Sequence, residues 1–143
     1  MIVASILALK GRDVATITAE ISVSEAVGRL AAKRIGALLV VDHDGRVVGI
    51  LSERDVVRSI GLNGAAILDD PVSSLMTRDV IACSEGDSIN DVMTRMTVGR
   101  FRHLPVIEND RLVGIISIGD VVKARIEEVE REAEEMRAYI ATA

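Results

Sequence analysis

Tryptophan is absent from this sequence, and phenylalanine and tyrosine occur once each, so aromatic side chains make up 1% of its 143 residues. A nucleic-acid surface needs stacking rings and a basic face. The formal charge is −5, so both requirements go unmet and nucleic acid is not expected as a partner. One cysteine, Cys83, excludes an internal disulfide and suits a reducing compartment, which makes a cytoplasmic location the expectation. No nucleophile, base and orienting residue fall together in a motif, so no catalytic residue and no enzyme activity are expected. Asp42-His43-Asp44 carries metal-ligating atoms, but a polar turn accounts for all three and no metal is expected there. The apolar start, Met1 to Leu9, is too short for a signal sequence or a bilayer span, so a soluble chain with no membrane partner is expected.

What the sequence does contain, it contains twice. A shift of 66 positions places Arg12-Asp13-Val14 on Arg78-Asp79-Val80, Ser22 on Ser88, Arg29 on Arg95, and Leu38-Leu39-Val40-Val41 on Leu104-Pro105-Val106-Ile107. The following turn is one residue shorter in the second copy. Beyond it a shift of 65 places Val48-Gly49-Ile50-Leu51-Ser52 on Val113-Gly114-Ile115-Ile116-Ser117 and Asp55 on Asp120. Two copies in a chain of this length predict one pseudo-symmetric unit rather than a solenoid, with function in the cleft between the copies.

Each copy predicts the same plan. A helical turn (Ala4 to Lys10; Val72 to Met76) leads to an extended piece (Val14 to Thr18; Val80 to Ser84). An amphipathic helix follows, over Ser24 to Arg34 with Ala26, Val27, Leu30 and Ala31 on one face, and over Asn90 to Val98 in the second copy. Ala37 to Val41 and Arg46 to Leu51 read as a strand pair around a turn, and their near-continuous apolar runs predict burial on both faces. A helix begins near Ser52 and again near Ser117. The expected fold class is therefore α/β, more strictly α+β: two strand-helix-strand-strand-helix repeats over residues 5–58 and 71–123. Residues 59–70 form a flexible connector and residues 124–143 a helical tail.

Most chemistry lies in Gly49-Ile50-Leu51-Ser52-Glu53-Arg54-Asp55 and its counterpart, Gly114-Ile115-Ile116-Ser117-Ile118-Gly119-Asp120. Ser-x-x-Asp at a strand-to-helix junction is a capping box, which needs no ligand. The same geometry suits a phosphorylated ribose: free amides and a hydroxyl face an anion, the glycine lets a ligand approach, and the carboxylate accepts from a sugar diol. Both readings stand at this point. His103, likewise, reads either as a ligand contact or as a strand residue.

The duplicated Gly-hydrophobic-hydrophobic-Ser-x-x-Asp element, each copy preceded by an aliphatic strand pair, together with Phe101-Arg102-His103-Leu104-Pro105-Val106, resembles a tandem pair of CBS (cystathionine-beta-synthase) domains, a Bateman module, from about Ser5 to Lys123. The resemblance implies a stand-alone, non-catalytic regulatory or signal-transduction protein. It implies a homodimer that binds an adenosyl ligand such as AMP, ADP, ATP, NAD or S-adenosylmethionine between the repeats, with a separate enzyme or transporter as possible target. It further implies that Asp120 and Asp55 hold ribose hydroxyls, with Ser117 and Ser52 near the ribose or phosphate. Adenine would lie near Ala15, Ile81, Ile50 and Ile115. Arg54 is expected at the phosphates of the Asp120 half, with only Gly119 at the matching place. Arg102 and His103 correspond to Gly36 and Ala37 in the first copy, so the Asp120 half is expected to be the stronger phosphate site. The alternative is a ligand-free interaction scaffold in which both Ser-x-x-Asp elements only cap helices.

Past Lys123 the signal changes. Val122, Ile126, Val129, Ala133, Met136 and Ile140 step by 4, 3, 4, 3, 4, which predicts one apolar seam along a helix whose other faces carry Glu and Arg. Packing on its own module and pairing with a partner helix are equally good readings of that seam.

Overall fold

In the computed structural model, which describes residues 1–142, the two repeats form separate apolar cores joined by crossing segments. The first repeat contains β1 (Thr16–Ile17), α2 (Val23–Lys33), β2 (Ala37–Val41), β3 (Val47–Ser52) and α3 (Glu53–Asn63), preceded by α1 (Val3–Lys10). The second contains α4 (Ile89–Gly99), β4 (His103–Glu108), β5 (Arg111–Ser117) and α5 (Ile118–Thr142). The predicted α+β class and the doubled plan are both present.

Helices α2 and α4 begin where serine supplies an acceptor. Ser22 Oγ accepts from the Glu25 amide and Ser88 Oγ from the Asp91 amide, each at 3.1 Å, satisfying amides that the helix itself leaves free. Both helices end in an arginine with left-handed backbone, Arg34 and Arg100, at φ 54° and 56°. Strands β2 and β3 pair antiparallel through a turn in which Asp42 Oδ1 accepts from the Asp44 and Arg46 amides. The shorter second turn places Asn109 and Asp110 at φ 50° and 62°, the two-residue geometry that hairpins favour.

Two elements differ from expectation. The extended piece at Val80 to Ser84 forms only a single bridge, Cys83 to Val106, whereas β1 pairs with β2 over two residues. Proline is the cause. The Leu39 amide donates to the Ala15 carbonyl at 3.2 Å, but the matching Pro105 has no N–H to offer Ile81. The stretch read as a flexible connector is instead helical: α3 runs to Asn63, a 3₁₀ turn spans Ala65–Asp69, and Ile67 is buried in the first core.

The segment leading into each repeat packs on the other repeat. Val3, Ile6 and Leu7 of α1 lie in the second core, while Val72 and Met76 lie in the first. Each such buried aliphatic side chain contributes roughly 1.5–3 kcal/mol, so the exchange ties the repeats into one body. The glycine of each repeated motif makes the crossing possible. A Cβ at Gly49 would stand 2.7 Å from Met76 Sδ and 3.1 Å from the Thr77 carbonyl, and one at Gly114 would stand 2.7 Å from Leu7 Cδ2.

Candidate functional site

Both Ser-x-x-Asp elements form complete capping boxes. The Ser52 amide donates to Asp55 Oδ2 at 3.0 Å and the Asp55 amide to Ser52 Oγ at 3.2 Å; the matching distances at Ser117 and Asp120 are 2.9 and 3.2 Å. Capping uses one carboxylate oxygen of each aspartate. What stands beside that capping oxygen differs between the halves.

Asp55 faces a cavity of about 690 Å³ between the repeats, within the usual range for small-molecule sites. The first repeat contributes Gly36, Ile50 and the start of α3, including Ser52, Glu53, Arg54, Asp55 and Arg58. The crossing segment contributes Thr77, Asp79, Val80 and Ile81, and the second repeat contributes Gly99 to His103. Ile50 is held by reciprocal backbone bonds with Thr77, both 2.9 Å, which dock the crossing segment on β3. Ile81 is left 49% exposed, so an apolar side chain lines the cavity.

Four arginines line this cavity: Arg54, Arg58, Arg100 and Arg102. None of the four lies in an ion pair among the described residues. Arg54 and Arg58 are one helical turn apart on α3, and Arg54 Nη1 donates to the Arg100 carbonyl at 3.2 Å across the repeat boundary. His103 packs on Gly36, where an added Cβ would come within 3.3 Å of its ring and 3.4 Å of Glu53 Oε1. Burial lowers the His103 pKa below the ordinary value. Glu53 and Asp120 oppose that shift, while Lys10 and Arg102 add to it.

Around Asp120 the arrangement is different. Lys10 Nζ donates to Asp120 Oδ2 at 2.7 Å and to the Ile115 carbonyl at 3.0 Å. Helix α1 runs to Lys10, while its counterpart, the 3₁₀ turn Val72–Ser74, spans three residues and leaves Thr77 to pair with Ile50. The longer helix brings an ammonium group to the second carboxylate. Burial pushes the Asp120 carboxyl up, but the Lys10 and Ser117 hydrogen bonds outweigh it and hold the group below its ordinary value.

Of the residues singled out from sequence, the cavity brings together Gly36, Ile50, Ser52, Arg54, Asp55, Ile81, Arg102 and His103. Ala15, Ala37, Ile115, Ser117 and Asp120 lie outside it. Ala15 packs against the first core and Ala37 is buried on β2. The expected partition of charge is reversed: Arg54 shares the cavity of Asp55, because its position on α3 faces the Arg100 carbonyl, and a lysine fills the Asp120 half. Sequence reasoning missed Arg58, Thr77, Arg100 and Lys10. The i, i+4 spacing of Arg54 and Arg58 was a readable signal; the crossing of α1 and of Thr77 was not.

This architecture and cleft define a paired-repeat module, and the chain belongs to the CBS domain family, whose profile matches residues 7–62 and 72–127. A CBS-domain protein of known structure from Agrobacterium tumefaciens is 51% identical, with a TM-score of 0.86 over 87% of this chain and 99% of that one. The CBS domain pair of protein MJ0100, solved with 5′-methylthioadenosine and S-adenosyl-L-methionine, is 26% identical, with a TM-score of 0.79 over 90% of this chain and 98% of that one. A CBS domain protein from Pyrobaculum aerophilum complexed with AMP is 25% identical, with a TM-score of 0.74 over 84% and 89% of the two chains. Adenosyl ligands thus occupy solved relatives of this fold. The chain spans between 21% and 64% of the length of the curated relatives it matches. No helix among the described residues is long and apolar enough to cross a membrane.

Proposed function

We propose that this chain is a non-catalytic regulatory module that holds an adenine nucleotide of the AMP, ADP, ATP or NAD class in the Asp55 cavity. One observation carries the reading: four arginines without carboxylate partners converge on a cavity that also presents the free oxygen of a capping aspartate. Asp55 accepts from the ribose hydroxyls. Ile50, Val80 and Ile81 lie against the base. Arg54 and Arg102 bind phosphate oxygens through charge-assisted hydrogen bonds. A cationic sulfonium such as S-adenosylmethionine gains nothing from these guanidiniums, so this chain favours anionic ligands over that one.

The Lys10 ammonium already neutralises Asp120 at its capping oxygen, so the reading assigns one nucleotide per chain, in the Asp55 cavity. Binding acts on a homodimer, or on a separate enzyme or transporter, to the extent that the ligand prefers one arrangement. Complete capping boxes would also suit a ligand-free scaffold, but capping makes no use of the arginines.

Thermal melting separates the readings. AMP, ATP and NAD are expected to raise the melting temperature, with about 2.7 kcal/mol of added stability at 100 times the dissociation constant. S-adenosylmethionine should have a smaller effect. No shift with any of the four would favour the scaffold.

A further inference from the structure

Helix α5 outruns the repeat that it closes. Only Val121 and Ala124 of Ile118–Thr142 are buried, both near its start. Val122, Ile126, Val129, Met136 and Ile140 are exposed, Ile126 at 52% and Ile140 at 67%. Together with Ala133 they form a heptad seam: Ile126, Ala133 and Ile140 take the a positions and Val122, Val129 and Met136 the d positions. At under three heptads the seam is too short to hold a helix alone, but Val121 and Ala124 anchor the first turns of α5 in the second core and supply the nucleus.

The positions flanking the seam say what covers it. Arg125 and Glu132 occupy g positions, and Glu130 and Arg137 occupy e positions. In a parallel pair, g meets e of the partner, so Arg125 faces the second copy's position 130 and Glu132 its position 137. In an antiparallel pair, g meets g and e meets e, which sets Arg125 against position 132 and Glu130 against position 137. Each of these four meetings joins opposite charges, while Lys123 at e and Tyr139 at g stand outside them. We infer that the α5 seam is a self-association surface: a second copy of this chain covers residues 122–140 as a two-stranded coil. This surface stands apart from the nucleotide cavity, and its test needs no ligand.

The experiment is sedimentation equilibrium on the full chain, with variants at exposed flanking positions. The wild type is expected to dimerise. Glu130→Arg with Glu132→Arg places arginine at 125, 130, 132 and 137, so repulsion arises in either direction and dimerisation should weaken by about ten-fold or more. Adding Arg125→Glu and Arg137→Glu recreates the alternating pattern with signs exchanged and should restore the dimer. Cysteines at 126 and 140 read the direction: self-crosslinks at each position mark a parallel coil, and mixed crosslinks an antiparallel one. A monomeric wild type, or a dimer that the double charge reversal leaves unchanged, overturns the inference.

Discussion

Lys10 and Asp120 make the contact that breaks the symmetry of the two repeats. The ammonium lies 2.7 Å from Asp120 Oδ2, whereas Asp55, the matching aspartate, faces a cavity of about 690 Å³. The difference stems from α1, which runs to Lys10 while its counterpart in the second repeat is a three-residue 3₁₀ turn.

That contact makes stability pH-dependent in a defined direction. The folded Asp120 carboxyl titrates below its ordinary value of 3.8, so its contribution is complete above that value and disappears as pH falls through the folded pKa. Lys10→Met should cost at most about 1 kcal/mol at neutral pH, since both groups are partly solvated. Urea unfolding of the two proteins should converge in acid, below the ordinary carboxylate range. A gap that persists there would mean that Lys10 stabilises through packing instead.

Arg54→Ala should weaken AMP by about ten-fold or more and leave adenosine nearly unchanged, because only the nucleotide presents an anion to the guanidinium. Calorimetry with both ligands measures the contrast. Equal losses would remove Arg54 from the phosphates.

His103 gives a proton-linked readout. Burial holds the ring below its ordinary value of 6.5, so it is neutral in the unliganded protein at neutral pH. A phosphate placed beside it favours the imidazolium and raises its pKa, so at mildly acidic pH AMP binding should take up more protons in the wild type than in His103→Gln, the titration of the phosphate itself being common to both. Titrations in buffers of different ionisation enthalpy measure the difference between the two proteins. Equal proton linkage in wild type and variant would contradict the placement.

Gly49→Ala tests the crossing itself. Its Cβ would stand 2.7 Å from Met76 Sδ and 3.1 Å from the Thr77 carbonyl, forcing the crossing segment off β3. A loss of about 1–3 kcal/mol in chemical unfolding is expected. An unchanged midpoint would show that the segment yields freely.

The repeats, their helices and strand pairs, and the aspartates with their caps were legible because they depend on local periodicity and short motifs. Ser22, Ser52 and Ser88 announce helix starts, and the strand pairs are simply apolar. Which half of the cleft is open was not legible. It depends on α1 crossing to the second core and on one further helical turn carrying Lys10 to Asp120, a contact spanning 110 residues. The shortened pairing at Cys83 was readable in principle, since Pro105 replaces Leu39 at a position that must donate. Ile67 stayed hidden because glycines and an asparagine nearby suggest a loop, whereas burial against the first core holds the segment in helical turns.

The most direct test of the Asp55 cavity is a calorimetric titration of AMP into the wild type, Asp55→Asn and Asp120→Asn. One AMP per wild-type chain is expected, with a loss of about ten-fold or more in Asp55→Asn and nearly unchanged affinity in Asp120→Asn. Binding that survives Asp55→Asn and is lost in Asp120→Asn would place the nucleotide in the half that Lys10 occupies and contradict the account.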